Sequence, residues 1–562
     1  MNRLQAFAVL LVLWAAIYLP GLGSTELKGE EGRRILPAVT MLETGDWLVP
    51  HIGGKPFLRK PPLVNWAIAA SMKLTGVRDE WTARLPSALC VLALMGVMIG
   101  VSGSRTRTIF TTDVCFIASI MAMTQFGLLA KARFAGAEIE GIYVPLAAIS
   151  TVLWMAWWIE RRSPWILWTI PSVFLGLAML AKGPLHLLFF YAIVICVLWR
   201  AGELRALWHP AHFLGIVVML SIFGAWAIPY FRSEAAMDAA KVWQDQFAGR
   251  VTENVFNWKS WLLSVPQGLA DQLPWLLLVP VLSMGRREWE GREQALVRGT
   301  SLALVLCFFG LLLVPGVLTR YVLPVGPPFA LLLAAALAEE RFAPPSRALR
   351  LWWQANLGLA GLLLLLAVAG PIAIAVTYKQ IVAATGEQLP SASTLLINPI
   401  LASAAAIVVG VIIIAGRRRF ARPTRIAGAS AAILGALALL YATDIVPFIT
   451  RADDIRPTAR RIDSAIPAGA SVILYDPGWQ PAIFYLHTPY RYAPRTEDIP
   501  PDAEFVLAKS SAEKRLAEKR PDLAVVKRIA GKDKSLSFLL LQPRSRIPNV
   551  PHPAAETSLG DR

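Results

Sequence analysis

Tracts of about 20 apolar residues recur along this chain, and a helix of that length crosses about 30 Å of hydrocarbon. They lie roughly at 4–21, 84–103, 109–130, 141–159, 164–180, 184–200, 211–230, 260–284, 298–316, 321–339, 351–376, 395–415 and 427–447, about thirteen in all. Backbone polar groups in hydrocarbon must be satisfied internally, so each tract reads as a helix of a membrane bundle. Composition agrees: 56% of the 562 residues are hydrophobic and 17% are charged, against about 25% charged in soluble domains. Residues 4–21 read as a retained first helix, because no convincing small-x-small cleavage site follows. The apolar tract 62–75 is too short to span and is expected at the interface.

The net charge of +17 has two readings. A nucleic-acid binder would cluster it on one face. Here the arginines fall in alternate short loops, among them Arg105 and Arg107, Arg161 and Arg162, Arg200 and Arg205, Arg286 and Arg287, and Arg417 to Arg419. That is the positive-inside pattern with the N-terminus in the cytoplasm, so no nucleic acid is expected. The outer loops are then 22–83, 131–140, 181–184, 231–259, 317–320 and 377–394. Cys90, Cys115, Cys196 and Cys307 lie in apolar tracts with no CxxC pair, which excludes a disulfide framework and a thiolate zinc site. His51 and His186 have no partner at ligand spacing, so no metal and no cofactor are expected.

The predicted domains are a membrane domain over 1–447, an α/β domain over 448–545 on the outer side, and a disordered polar tail over 546–562. Short apolar runs such as SVILY (471–475), EFVLA (504–508) and SFLLLQ (537–542), with a helix over 511–519, carry the α/β reading. No internal repeat stands out, and neither do the paired broken helices of an inverted-repeat transporter.

Ionisable groups beside the membrane are functional candidates, and many fall on the outer side. The densest stretch is 23–66, which carries Glu30, Glu31, Arg33, Arg34, Asp46, Trp47, Arg59 and Lys60. Lys131, Arg133, Glu138, Glu140, Lys182, Arg250 and Arg320 join them. Cations converging with carboxylates suit an anionic, lipid-anchored substrate: the cations hold phosphate oxygens and a carboxylate acts as base. Blander readings stand beside this one. Glu30 lies three and four residues from Arg33 and Arg34, where local pairing contributes only about 0.2–0.5 kcal/mol. Lys60 and Arg320 can be interfacial cations, and Lys182 a lysine at a helix turn. Ile35, Val39 and Leu42 give the helix after Glu30 an apolar stripe that would lay it along the membrane surface.

The stretch EEGRR…MLETGDWLVP…KPFLRKPPLVNW resembles the first outer loop of the bacterial aminoarabinose transferase and protein O-mannosyltransferase-like glycosyltransferases, the GT-C class. Glu30 stands at the first family aspartate. Glu31, Arg33, Gly45, Asp46, Trp47, Lys60, Pro61 and Pro62 match. The likeness continues through ARFAGAE (132–138), where Glu138 takes the second family aspartate, to AKGP (181–184) with Lys182, QFAGR (246–250) with Arg250, LPW (273–275) and RYVLPVGPP (320–328) with Arg320 and Tyr321. Both aspartates are glutamates here, and Arg59 replaces an acidic residue common in the lipid A branch.

The resemblance implies sugar transfer from a polyprenyl (undecaprenyl) phosphate donor to a lipid A, glycan or protein acceptor, by a monomer at the periplasmic face of the inner membrane. It makes Glu30 and Glu138 the catalytic carboxylates. Arg33, Lys60, Arg133, Lys182, Arg250, Arg320 and Tyr321 become the donor-phosphate set, with Glu31, Arg34, Arg59, Asp46 and Trp47 as further site candidates. The rival reading is a flippase of lipid-linked sugars, which would show charged sites reachable from both faces.

Overall fold

The computed structural model describes residues 1–27, 29–103, 109–233, 258–279, 289–314, 317–339, 347–385, 422–441, 454–531 and 536–547, with positions 242, 446 and 450. The expected helix 395–415, most of the loop 231–259 with Arg250, and the tail from 548 lie outside these residues. In chain order the helices are α1 (Arg3–Tyr18), α2 (Gly32–Thr44), α3 (Leu63–Thr75), α4 (Glu80–Gly100), α5 (Thr112–Thr124), α6 (Phe126–Leu129), α7 (Glu140–Ile159), α8 (Pro164–Lys182), α9 (Leu185–Ala201), α10 (Pro210–Arg232), α11 (Trp258–Ala270), α12 (Gly291–Leu312), α13 (Gly326–Glu339), α14 (Arg347–Thr385), α15 (Arg422–Leu440), α16 (Ile455–Asp463) and α17 (Glu513–Lys519). The strands are β1 (His51–Ile52), β2 (Lys55–Pro56), β3 (Val472–Tyr475), β4 (Tyr490–Ala493), β5 (Phe505–Lys509), β6 (Leu523–Ile529) and β7 (Phe538–Pro543).

Two compact units share the chain. The first comprises Met1–Thr25, Thr44–Pro50 and Leu58–Arg451. Among its described residues six helices are long and apolar enough to cross a membrane, or seven if the bent pair over 112–134 counts as one span. This is a multi-pass membrane protein. α7 is buried along nearly its whole length, whereas Glu80–Gly100, α8 and α12 bury only half and leave leucines exposed for lipid. α7 is therefore a central span, with α4 and α8 packed against it.

Two expected spans are broken, and each break answers the other. The tract 109–130 bends by 57° after Thr124. The tract 260–284 ends as a helix at Ala270, before Asp271, Gln272 and Pro274, and resumes as a 3-10 turn at Trp275–Leu278. Proline has no N–H to continue a helix. The donors released at the bend find acceptors on the other break: Phe126 N–H donates to Leu273 O and Gly127 N–H to Asp271 O, both at 2.9 Å. The Gln125 amide donates to Gln272 Oε1 at 3.2 Å and to Gly326 O at 3.1 Å. A Cβ on Gly127 would lie 2.4 Å from Leu323 Cδ2, so only glycine permits this approach.

The second unit comprises Glu26–Glu43, His51–Phe57 and Ala452–Arg562. Its core is a mixed sheet in the order β4-β3-β5-β7-β6, with β3 parallel to β4 and β5, and β7 antiparallel to β5 and β6. Alternate residues of the strands, including Ile473, Tyr475, Val506 and Leu539, bury one face with Leu516 of α17. The unit also takes in two pieces of the first loop. Glu26 accepts from the N–H groups of Asp454, Ile455 and Arg456 at 3.0–3.3 Å and so caps α16, satisfying donors a helix start leaves open. Leu27 N–H donates to Tyr485 Oη at 2.8 Å. The stripe of Ile35 and Val39 on α2 is buried in the folded chain; it was expected to face a membrane surface.

Candidate functional site

The N-terminal end of α7 gathers the charges of the membrane unit. Lys131 Nζ lies 2.7 Å from Glu138 Oε2, and Lys182 Nζ lies 2.9 Å from Glu140 Oε1. Arg320 bridges the carboxylates, 3.8 Å from Glu138 and 3.5 Å from Glu140. Lys182 also sits over two rings, Tyr143 at 4.9 Å and Tyr321 at 4.5 Å. Three cations thus surround two carboxylates, which leaves a positive excess where a phosphate can be held.

Local sequence explains the placement. Lys182 ends α8, where a cation meets the partial negative charge of the helix terminus. Gly183 follows with φ 110°, open only to glycine, and Pro184 starts the next turn. Glu138 and Glu140 are bracketed by Gly136 and Gly141. A Cβ on Gly141 would lie 2.5 Å from Ser87 Oγ, and one on Gly136 would lie 2.9 Å from Arg84 Cβ. The small residues of ARFAGAE therefore let the carboxylate segment press against α4. Ser87 Oγ donates to Gly136 O across that contact.

The site keeps polar atoms to spare. Lys182 and Glu140 are almost fully buried, with side chains 7% and 4% exposed. Tyr143 Oη and His186 Nε2 are buried without a hydrogen-bond partner among the described residues. Unpaired polar atoms are costly in low dielectric, and Tyr143 beside Lys182, with His186 against the Tyr143 ring, marks a place that can take polar ligand atoms.

The turn carrying Lys60 is tied to the same region. Leu58 and Leu63, on either side of it, pack in one apolar cluster with Leu180, two residues from Lys182, and with Val49, Trp226 and Tyr230. Lys60 itself is half-buried and Arg59 exposed. Asp46 and Trp47 serve that cluster. Asp46 Oδ1 accepts from Leu48 and Val49 N–H at 3.0 and 3.2 Å, fixing the Gly-Asp-Trp turn. Trp47 O accepts from Trp66 Nε1 at 2.7 Å, and Leu48 O from Trp226 Nε1 at 3.0 Å.

Arg133 does not join the charges. It is buried, and its guanidinium donates to Ile17 O at 2.7 Å, Pro20 O at 2.6 Å and Ala438 O at 3.4 Å, beside the Phe134 ring. A cation so fully occupied by carbonyls locks α1 and α15 to the bundle. The sequence offers no signal separating it from Lys131.

Glu30, Glu31, Arg33 and Arg34 belong to the sheet unit. Glu30 lies on the 3-10 turn Gly29–Glu31, and the local pairing is formed: Arg33 Nη1 at 2.9 Å and Arg34 Nη2 at 3.9 Å. Arg33 also lies 4.6 Å over the Trp479 ring, and Arg34 lies 5.5 Å from the Phe57 ring. Glu31 is fully buried, whereas the Glu30 side chain keeps a third of its surface exposed. Asp271, beside the helix break, was not anticipated. Among the described residues no group of three histidine, cysteine or acidic side chains is arranged to hold a metal ion.

Comparison with known proteins agrees with these features. Residues 59–228 match the family described as dolichyl-phosphate-mannose-protein mannosyltransferase. The undecaprenyl phosphate-alpha-4-amino-4-deoxy-L-arabinose arabinosyl transferase of Pseudomonas paraeruginosa is 28% identical over 376 residues, 66% of this chain and 66% of that protein. Its counterpart from Pseudomonas savastanoi pv. phaseolicola is 27% identical over 358 residues, 62% of this chain and 64% of that protein. The chain thus spans just under two thirds of the length of these relatives. The crystal structure of ArnT from Cupriavidus metallidurans bound to undecaprenyl phosphate superposes with a TM-score of 0.64 at 18% identity, covering 96% of this chain and 97% of that one. The apo form of the same protein gives 0.61 at 18% identity, with the same coverage. These likenesses show the fold, which is that of ArnT.

Proposed function

We propose that this chain, similar in sequence and fold to the bacterial aminoarabinose transferases, is a glycosyltransferase that moves a sugar from an undecaprenyl phosphate carrier to a lipid A, glycan or protein acceptor at the periplasmic face of the inner membrane. The observation that carries the reading is the buried group of Lys131, Lys182 and Arg320 around Glu138 and Glu140 at one end of the spans. Transfer is an inverting, metal-independent displacement at the anomeric carbon. As the glycosidic bond to the carrier breaks, charge grows on the departing phosphate. Lys182 and Arg320, with Lys60, stabilise it there, where fixed cations need no rearrangement; Arg250 is the further cation that the sequence resemblance assigns to this phosphate. Tyr143 and Tyr321 hold the Lys182 ammonium in place from two sides.

Of the two catalytic candidates, Glu30 suits the base better. Both carboxylates are ion-paired, Glu138 with Lys131 and Arg320 and Glu30 with Arg33 and Arg34, but the Glu30 side chain is 33% exposed against 10% for Glu138 and so is open to an acceptor. Glu30 takes the proton of the acceptor nucleophile. Purified protein incubated with labelled undecaprenyl-phosphate sugars and an envelope lipid extract should release undecaprenyl phosphate and form a new labelled product. Movement of intact carrier across a vesicle without a new product would establish the flippase reading instead. Glu30→Gln should lower the rate by about 10²–10⁴, the range of general base catalysis, with an unchanged melting temperature. Normal turnover in that variant would move the role to Glu138.

A further inference from the structure

A second cluster sits at the end of α7 away from Glu140, and sugar transfer makes no use of it. A helix of 20 residues rises about 30 Å, so Trp157 to Arg162 lie about a bilayer's thickness from the carboxylates. There a cleft of about 330 Å³ opens between the ends of α7 and α8, the short helix Leu204–Trp208 and the start of α12. Its walls include Trp157, Trp158, Trp168, Arg161, Arg162 and Arg292.

The wall behind the cleft is fixed. Arg292 lies 4.2 Å over the Trp158 ring and donates to Trp158 O at 2.8 Å and to Glu203. Trp158 Nε1 donates to Glu203 Oε2 at 3.1 Å. The Glu203 charge is thereby spent on Arg292. Arg162 gives its Nε to Glu160 at 2.8 Å, which leaves the outer edge of its guanidinium open. Arg161 makes no ion pair among the described residues, and its backbone is unusual. It caps α7 at φ 53°, a conformation that helix ends normally assign to glycine. Strain of this kind persists where a side chain is needed in that place. Around the cleft the same end of the bundle exposes Trp165, Trp199 and Trp208, whose indoles suit headgroup depth. Ile166 and Ile170, one turn apart on α8, are exposed below it.

We propose that this cleft binds the phosphate headgroup of an anionic phospholipid. Arg161 and Arg162 hold the phosphate oxygens, Trp157 and Trp168 flank the glycerol, and the acyl chains run down the Ile166–Ile170 face of α8. The occupant is a membrane lipid because the cleft opens among interfacial tryptophans, and an anion because Arg161 makes no ion pair among the described residues and Arg162 engages Glu160 through its Nε alone.

Native mass spectrometry of the full-length protein in detergent tests this with short-chain phosphatidylglycerol, phosphatidylcholine, undecaprenyl phosphate and inorganic phosphate as separate probes. Arg161→Gly suits the backbone at that position, so the double variant Arg161→Gly/Arg162→Ala keeps the fold, which an unchanged or higher melting temperature verifies. We expect one phosphatidylglycerol to bind in preference to phosphatidylcholine, at least 10-fold more weakly in the double variant, with binding kept in Arg161→Lys. Equal binding of the two phospholipids, or phosphatidylglycerol binding unaffected by the double variant, overturns the proposal. Displacement of phosphatidylglycerol by millimolar inorganic phosphate overturns it in favour of a small-anion site, and preferential capture of undecaprenyl phosphate in favour of a carrier site on the second face.

Discussion

Two ion pairs of the same chemistry behave differently in this molecule. Lys182–Glu140 joins two helix ends of the bundle, with side chains 7% and 4% exposed. Lys55–Asp476 joins the β1–β2 hairpin to the end of β3 in the sheet unit, with side chains 51% and 30% exposed. Both are formed at short range, 2.9 and 2.8 Å. Burial is the difference. In low dielectric a pair is strong, and a partner left alone is intolerable; beside water the same geometry is screened. The first pair can therefore be part of a machine that holds a phosphate, and the second fastens a hairpin.

The largest expected effect comes from breaking the buried pair. Lys182→Ala leaves the buried Glu140 with Arg320 alone, 3.5 Å away, to compensate it, so the cost should approach that of a broken buried pair, about 3–5 kcal/mol. Transfer should fall below detection, but a loss of that size could come from unfolding alone. The double variant Lys182→Met/Glu140→Gln separates the two, because replacing both partners removes most of the penalty. Thermal unfolding should return toward that of the unaltered protein while transfer stays absent. Recovery of transfer along with stability would show that the pair is only a fastener, like its counterpart in the sheet unit.

Lys60→Ala comes next. Its turn is anchored by Leu58 and Leu63 in the apolar cluster with Leu180, so the fold does not depend on the ammonium. The loss should appear as weaker use of the carrier donor, about 10-fold or more in kcat/KM, a charge-assisted contact being worth about 1.5–3 kcal/mol. An unchanged dependence on donor concentration would remove Lys60 from the phosphate set.

Much of this contrast is legible in the sequence. The apolar tracts declare the bundle, and the KGP turn and the ARFAGAE segment declare the residues at its charged end, because Gly183, Gly136 and Gly141 are needed for backbone approach. Three things are not legible. Arg133 reads like Lys131, and only the carbonyls of Ile17, Pro20 and Ala438 show that it is a strut. The partnership of Glu26 with α16 spans more than 400 residues, beyond any local pattern. The broken tract 260–284 looks continuous by hydropathy; Asp271 and Gln272 are tolerated in it because their backbone and side chains serve the bend at Gln125.

The smallest effect belongs to the exposed pair. Burial pushes the Asp476 carboxyl up, but hydrogen bonds from Lys55 and Arg515 more than offset it and hold it below its usual value. The pair therefore contributes above the ordinary carboxylate range, and the contribution is lost as pH falls through the lowered value. Lys55 is half exposed and Arg515 remains 2.9 Å from the same carboxylate, so Lys55→Ala should cost no more than about 1 kcal/mol. It should leave the sheet assembled, because Gly53 and Gly54 already fit the hairpin against Gly478 and Tyr492 with no room for a Cβ. Unfolding followed with and without 1 M salt checks this, since screening should erase even that small difference. A cost like that of Lys182→Ala would mean that exposure is not what separates the two pairs.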